Sequence, residues 1–350
     1  MTASRRQILT GAATAAASAL AAALPAQAQS GAPAALRARR LKPGDTIGLV
    51  SPANATFERE PLEIAIESLQ ALGFKVKPGA HLRSRYGQFG GTDAQRASDI
   101  NDCFADDGVD GILAMTGGSG SNRIVDKLDY ALIRRKPKFF GGFSDLTSLV
   151  NAIHRQTGLI TFHCPVAGSE WNEFSVQQFR AVAMEGQAQL MQNPPSERGD
   201  NLVPREDRIS TLRAGVARGP LIGGNLAVLC SLAGSPYFPD TRGAILFLEE
   251  INEYIYSVDR LLSTLRLSGA LDQVAGVVLG KFTNCGPGNG GYGVLTLDEV
   301  FDDYFLPLKV PVYRGAMIGH IKKKFTVPVG QLAEMDASAG TIRLLSPAVS

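Results

Sequence analysis

Hydrophobic and polar positions along the chain follow two periods in turn, and the switches between them outline a repeating unit. TIGLV (46–50) is an apolar run closed by Ser51-Pro52, after which Leu62, Ala65, Ile66 and Leu69 recur at helical spacing until Gly73. This predicts a strand followed by a helix. The unit repeats through FKVK (74–77), a helix opened by the capping-box sequence Thr92-Asp93-Ala94-Gln95, GILAM (111–115), a short helix from Ser121, and KFF (138–140). Leu146, Leu149, Val150 and Ile153 mark a further helix, and LITFH (159–163) a further strand. Apolar strands alternating with helices need cover on both faces, so a parallel sheet in an α/β domain is expected over residues 41–190.

Between residues 192 and 210 the text turns polar and Pro-rich (QNPPSERGDNLVPREDRIS), which predicts a linker over 191–214. A second domain over 215–345 is expected to be a smaller mixed α/β unit. It opens with GGNLAVLCSLAG and continues through the strand GAILFLEE (243–250), a helix carrying Val258, Leu261, Leu262 and Leu265, and the strand VAGVVLG (274–280). CGPGNGGYG (285–293) is too rich in glycine for an element interior and is expected as an exposed loop.

The N-terminus changes the compartment. SRRQIL (Ser4 to Leu9) precedes an Ala-rich, uncharged run ending in Ala26-Gln27-Ala28, the pattern of a twin-arginine export signal over 1–28 with cleavage after Ala28. The expected location is the periplasm, with no stable membrane insertion after cleavage. The apolar run falls short of the ~20 strongly apolar residues of a membrane span. Without residues 1–28 the chain loses only Arg5 and Arg6, so Lys+Arg falls from 35 to 33 and equals the 33 Asp+Glu. A neutral chain with no basic block and no aromatic cluster is a poor nucleic-acid partner. Cys103, Cys164, Cys230 and Cys285 form no CxxC pair, which leaves a zinc ribbon or redox motif unsupported and favours buried thiols.

Candidate chemistry collects where strands end, because successive loops at the carboxyl edge of an α/β sheet converge on one crevice. In FFGGFSDLTSL (139–149), Ser144 stands where an apolar strand turns into a helix. Two readings of it are open locally: an N-cap, for which Ser is a preferred residue, or a nucleophile on a tight turn whose glycines leave room for a sharp bend. The amide of Asp145 would begin the helix and donate to an oxyanion. A serine nucleophile needs a base and a group that orients it. Among the four histidines, His81 lies in a polar loop and His154 on the last turns of an amphipathic helix. His163 in FHCP and His320 in GAMIGHIKKK compete for the role of base. LFLEEINE offers Glu249 and Glu250, which period-two alternation puts on opposite faces, so that only one of them turns easily into the crevice.

Taken together these stretches resemble the LD-carboxypeptidase family, serine peptidases that trim murein tetrapeptides. The likeness runs through TIGLVSPA (46–53), FGGTDAQRASDIN (89–101), TGGSGSNRIVDKLDY (116–130), GGFSDLTSL, ITFHCP and GPLIGGNLAVL (219–229). It continues through LFLEEINEYIYSVDRLL (246–262), IGH and TVPVGQLAEMD. The resemblance implies Ser144 as nucleophile, His320 as base and Glu249 as its orienting acid, with backbone amides of Gly118 and Asp145 as oxyanion hole. It also implies a flavodoxin-like N-terminal sheet, a swivelling β/β/α-like C-terminal domain, a homodimer, a murein peptide as substrate, and neither metal nor cofactor.

One departure bears on specificity. The family usually writes RGGYGS where this chain has TGGSGS, so Thr116 and Ser119 stand in place of Arg and Tyr. A cation suited to a carboxylate and an aromatic wall are thereby missing from this loop. Thr116, Ser119, Asn225 and Trp171, the only tryptophan, are the substrate-binding candidates. A related branch of the family hydrolyses the amide of a peptide–nucleotide antibiotic and confers immunity, so that activity is a second expectation. A periplasmic peptide-binding protein without catalysis is a third.

Overall fold

The structure, a computed structural model, describes residues 35–196, 198–288 and 294–350. The expected signal segment 1–28 and residues 289–293 of the glycine-rich loop lie outside the described residues. Among the described residues no helix is long and apolar enough to cross a membrane.

The first half alternates as the pattern predicts: β1 (Thr46–Val50), α1 (Arg59–Ala71), β2 (Lys75–Pro78), α2 (Asp93–Ala105), β3 (Gly111–Ala114), α3 (Tyr130–Arg135), β4 (Phe139–Gly142), α4 (Thr147–Thr157) and β5 (Thr161–His163). The stretch from Ser121 forms a 3-10 turn rather than an α-helix. The Thr92 box is made, with the Gln95 amide donating to Thr92 Oγ1 and the Thr92 amide to Gln95 Oε1. These five strands are parallel in the order β5-β4-β3-β1-β2, a doubly wound arrangement of flavodoxin type. β3 and β4 are buried along their whole length, which is why they read as apolar runs. The edge strand β2, KVKP, exposes its lysines and so discourages pairing with another sheet.

α5 (Glu173–Phe179) leads into the second half, with β6 (Leu190–Gln192), β7 (Ser210–Arg213), β8 (Val216–Asn225), α6 (Leu226–Cys230), β9 (Ile245–Ile251), α7 (Ile255–Leu267) and β10 (Gly276–Thr283). α8 (Leu297–Phe305), β11 (Val312–Arg314), β12 (Val327–Val329), β13 (Leu332–Asp336) and β14 (Thr341–Leu344) complete it. Eight of these strands form a mixed sheet, β6-β14-β13-β8-β9-β10-β11-β7, wider than the six-stranded one. Part of the width comes from the 191–214 stretch: it begins within β6 and ends just past β7, so the polar text between them is an excursion from the sheet. β12 leaves the second half altogether and pairs antiparallel with β5 at the edge of the first sheet.

β9 shows how the second sheet is packed. Ile245 and Phe247 belong to a hydrophobic cluster shared with the first sheet, whereas Leu246 and Leu248 belong to a second cluster under α6, α7 and α8. Alternation along a strand therefore fixes Glu249 toward the first sheet and Glu250 away from it.

α4 joins the two sheets. Asn151 is fully buried and donates from Nδ2 to its own-turn Thr147 carbonyl and to the Gly223 carbonyl of β8, both at 2.8 Å. Thr147 Oγ1 accepts from the Asn225 amide at 2.9 Å. Replacing Asn151 by Leu leaves the buried Gly223 carbonyl without this donor, and urea denaturation should show a loss of about 1–3 kcal/mol. An unchanged midpoint and slope would mean that this cross-sheet bond adds nothing to stability.

Candidate active site

Ser144 follows the β4 strand at a bend that only a strained backbone makes: its φ is +64°, in the left-handed region. A non-glycine residue held there costs on the order of 1–3 kcal/mol, a strain that clusters at functional turns. Gly117 on the neighbouring loop packs against it, and a methyl group at Gly117 would lie 2.8 Å from Ser144 Cβ. The loop is held by Asp145, whose carboxylate accepts from the Ser121 amide at 2.7 Å. Burial pushes the Asp145 carboxyl above its usual range, with the Ser121 hydrogen bonds opposing. A second anchor is the buried Arg96 of α2, which donates to the carbonyls of Gly120 and Pro52. Nothing in the helical spacing of α2 distinguishes Arg96 from a solvated residue, and it was not among the candidates.

His320 arrives from the irregular segment after β11. That segment is closed by the Phe325 amide donating to the Met317 carbonyl at 2.8 Å and is pinned to β10 by the Lys281 amide on the Ile318 carbonyl at 2.9 Å. Gly319 has a φ of +122°, and a methyl group there would lie 2.8 Å from Glu249 Oε2. A glycine is required before the histidine because the carboxylate occupies the space of a side chain.

The three side chains meet. His320 Nε2 lies 2.9 Å from Ser144 Oγ, and His320 Nδ1 lies 2.8 Å from Oε2 of Glu249, which is 0% exposed. Hydrogen-bonding to the carboxylate places the proton on Nδ1 and leaves Nε2 as the acceptor for the hydroxyl. An alcohol hydrogen-bonded to such an imidazole is equipped for base-assisted nucleophilic attack.

A cleft of about 570 Å³ opens over Ser144. Thr116, Gly117 and Gly118 form one wall, and Ile321, Lys322 and Lys324 stand with His320 in its lining. Asp145 is buried behind the bend, outside that lining. The Ser119 amide and hydroxyl turn to Asn54 Oδ1, at 3.0 and 3.3 Å, so Ser119 is not in the lining either. Asn225 is a buried N-cap: its Oδ1 accepts from the Val228 amide and its Nδ2 donates to Glu250 Oε1 at 2.8 Å. The Ala227 and Ile251 amides also donate to Glu250, so the second acid of the pair ties β9 to α6. Burial nonetheless pushes its carboxyl upward. Trp171 is half-buried and edge-on to Phe179 against the core, with Nε1 donating to the Ala167 carbonyl at 3.1 Å. Neither Asn225 nor Trp171 is in the cleft lining, and an N-cap asparagine or a half-buried tryptophan packed on the core carries no local sign that separates it from a ligand-binding one. Asn54 and Lys324, both in the lining, were missed.

The remaining histidines are elsewhere. His81 Nδ1 lies 2.7 Å from Asp99 Oδ1, and His154, in the last turn of α4, has Nδ1 3.1 Å from the Leu159 carbonyl. His163 is 2% exposed, between the rings of Phe143 and Phe247, and among the described residues neither ring nitrogen has a partner. The four thiols are free, and burial pushes Cys103 up to about 11 and Cys230 up to about 12.

A family model described as the LD-carboxypeptidase N-terminal domain matches residues 47–164, and one for the LD-carboxypeptidase C-terminal domain matches 218–335. A probable murein peptide carboxypeptidase of Bacillus subtilis is 36% identical over 303 residues, covering 87% of this chain and 92% of that protein. The solved structure of MccF in complex with glutamyl sulfamoyl guanosine superimposes with a TM-score of 0.80 at 28% identity, over 90% of this chain and 100% of that one. A muramoyltetrapeptide carboxypeptidase from Oxalobacter formigenes gives 0.70 at 27% identity, over 85% of this chain and 97% of the other.

Burial pushes the His163 imidazole from its ordinary 6.5 down to about 3, and the charges of His320 and Lys324 act in the same direction. Between those values the unfolded chain binds a proton that the folded chain does not. This contribution to stability is therefore complete above about pH 6.5 and is lost as the pH falls toward 3. His163→Leu should gain on the wild type by about 1.4 kcal/mol per pH unit below 6.5, in urea denaturations run between pH 7 and 5. Parallel pH profiles for the two proteins would show that His163 takes up its proton in the folded state as readily as in the unfolded one.

Proposed function

The chain belongs to the LD-carboxypeptidase family, and we propose that it is an exported serine hydrolase that releases the terminal D-alanine from murein tetrapeptides. The observation that carries this reading is the unbroken relay from Glu249 through His320 to Ser144, at 2.8 and 2.9 Å. In the proposed reaction Ser144 Oγ attacks the scissile carbonyl as His320 Nε2 takes its proton. Glu249 keeps the imidazole in the required tautomer and offsets the charge it acquires. The amides of Gly118 and Asp145 receive the oxyanion; His320 then passes the proton to the departing amine, and water releases the acyl-enzyme. A periplasmic site of action follows from the Arg5-Arg6 segment, and a homodimer is the family expectation.

A second reading shares this chemistry and differs in substrate: hydrolysis of a peptidyl-nucleotide amide. It is favoured by Thr116 and Ser119, which remove a cation and an aromatic ring from the substrate loop, and by the similarity to MccF. A non-catalytic peptide-binding protein has no use for a strained serine held at hydrogen-bond distance from an imidazole.

Incubated with a disaccharide tetrapeptide, the mature chain should release free D-alanine, and Ser144→Ala should lower kcat by on the order of 10⁴-fold or more. D-alanine release surviving that substitution would falsify the serine mechanism. A wild type inert toward the tetrapeptide but active on a peptidyl-nucleotide amide would establish the second reading instead.

A further inference from the structure

A carboxypeptidase must distinguish the end of a chain from its interior, and the chemical difference is the free carboxylate on the leaving residue. The loop at 116–119 supplies no cation for it. Two lysines stand in the cleft lining on the side of His320. Lys322 is exposed at the rim, with Nζ 3.3 Å from Glu170 Oε2. Lys324 is 8% exposed, yet it contributes to the cleft lining. Its amide is fixed by donation to Ser175 Oγ at 3.1 Å, and its Nζ lies 4.3 Å above the ring of Phe143. Among the described residues Nζ has neither a hydrogen-bond acceptor nor a carboxylate within 4.0 Å. An ammonium without such a partner keeps its three donors for water or for an anionic group of a ligand in the cleft.

The position fits one moiety of the substrate. Phe143 directly precedes Ser144, and its ring centroid is 5.0 Å from that of His320. The ammonium and the imidazole that must protonate the departing amine thus both pack on Phe143 and line the same cleft. In an amino acid the carboxylate sits one carbon from that amine. The geometry points to Lys324 as the specificity residue that receives the α-carboxylate of the leaving amino acid, an assignment that rests on reading the site as a carboxypeptidase. It replaces, from the wall that carries the base, the cation missing from the opposite loop.

The test compares the disaccharide tetrapeptide with its C-terminal D-alaninamide analogue, as kcat/KM for release of D-alanine and of D-alaninamide. The wild-type mature chain should favour the acid by about 10- to 100-fold, the range of a hydrogen bond to a charged group. Lys324→Met should abolish that preference by lowering turnover of the acid while leaving that of the amide unchanged, and Lys324→Arg, which keeps the cation, should retain it. A Lys324→Met protein that keeps the preference overturns the assignment. So does one that loses both activities equally, because the lysine would then act through Glu249 and His320 or through folding. A wild type that hydrolyses neither compound overturns the carboxypeptidase reading itself, and the assignment with it.

Discussion

Glu249 has no exposed surface and one strong donor: Oε2 faces His320 Nδ1 at 2.8 Å, and among the described residues Oε1 has no partner. A carboxylate taken out of water is unfavourable by several kcal/mol unless a donor and positive charge stand close by. The imidazole is therefore as necessary to the acid as the acid is to the imidazole. Much of the local architecture follows from keeping them together. Gly319 has no side chain because the carboxylate fills its place, and the segment bearing His320 is pinned to β10 and closed on itself so that the ring cannot drift.

The alternation of β9 is the second constraint, and it gives two adjacent acids unrelated tasks. Ile245 and Phe247 anchor the strand in the core shared with the first sheet, so Glu249 emerges on that side. One residue later Glu250 points the other way, where the Asn225 side chain and the Ala227 amide hold β9 against α6 and the adjacent Ile251 amide donates as well. Asn225 stands beside Glu249 in the β8–β9 register and donates its own amide to Thr147, at the start of α4. The turn bearing Ser144 immediately precedes that helix. Ser144 and Glu249 thus belong to different sheets yet are connected through a buried path by way of Asn225 and Thr147.

How far the sequence could be read depends on whether the information is local. Strands β1, β3, β4, β5, β9 and β10 were legible because burial on both faces leaves apolar runs, and the opposition of Glu249 and Glu250 was legible because alternation is a property of the backbone. The bend at Ser144 was legible as a bend, since Gly141 and Gly142 precede it, but whether it was a cap or a nucleophile was not. That depends on a histidine 176 residues away, held in a segment with no periodicity. His163, at the end of an apolar strand, looked as good; its position deep in the core follows from packing between Phe143 and Phe247, which no local pattern encodes. Asn225 and Trp171 misled for the same reason. A polar residue after a glycine pair and an isolated tryptophan fit a binding surface and a core equally well until the tertiary contacts are known.

Lys324 alters the logic of the site in a way that the loop at 116–119 alone does not suggest. A cation on that loop would belong to the first sheet, with the nucleophile, and its distance from the base would depend on how the two halves are packed. Lys324 instead lies four residues after His320 on one closed segment, clamped between Met317 and Phe325 and anchored through Ser175. In the proposed reaction, His320, which protonates the leaving amine, and Lys324, which holds its carboxylate, then sit on one closed segment rather than on separate halves. Because rate depends on holding reacting groups in register rather than on contact alone, moving the cation to the base's own segment makes recognition of the chain end and protonation of the leaving group a single geometric event.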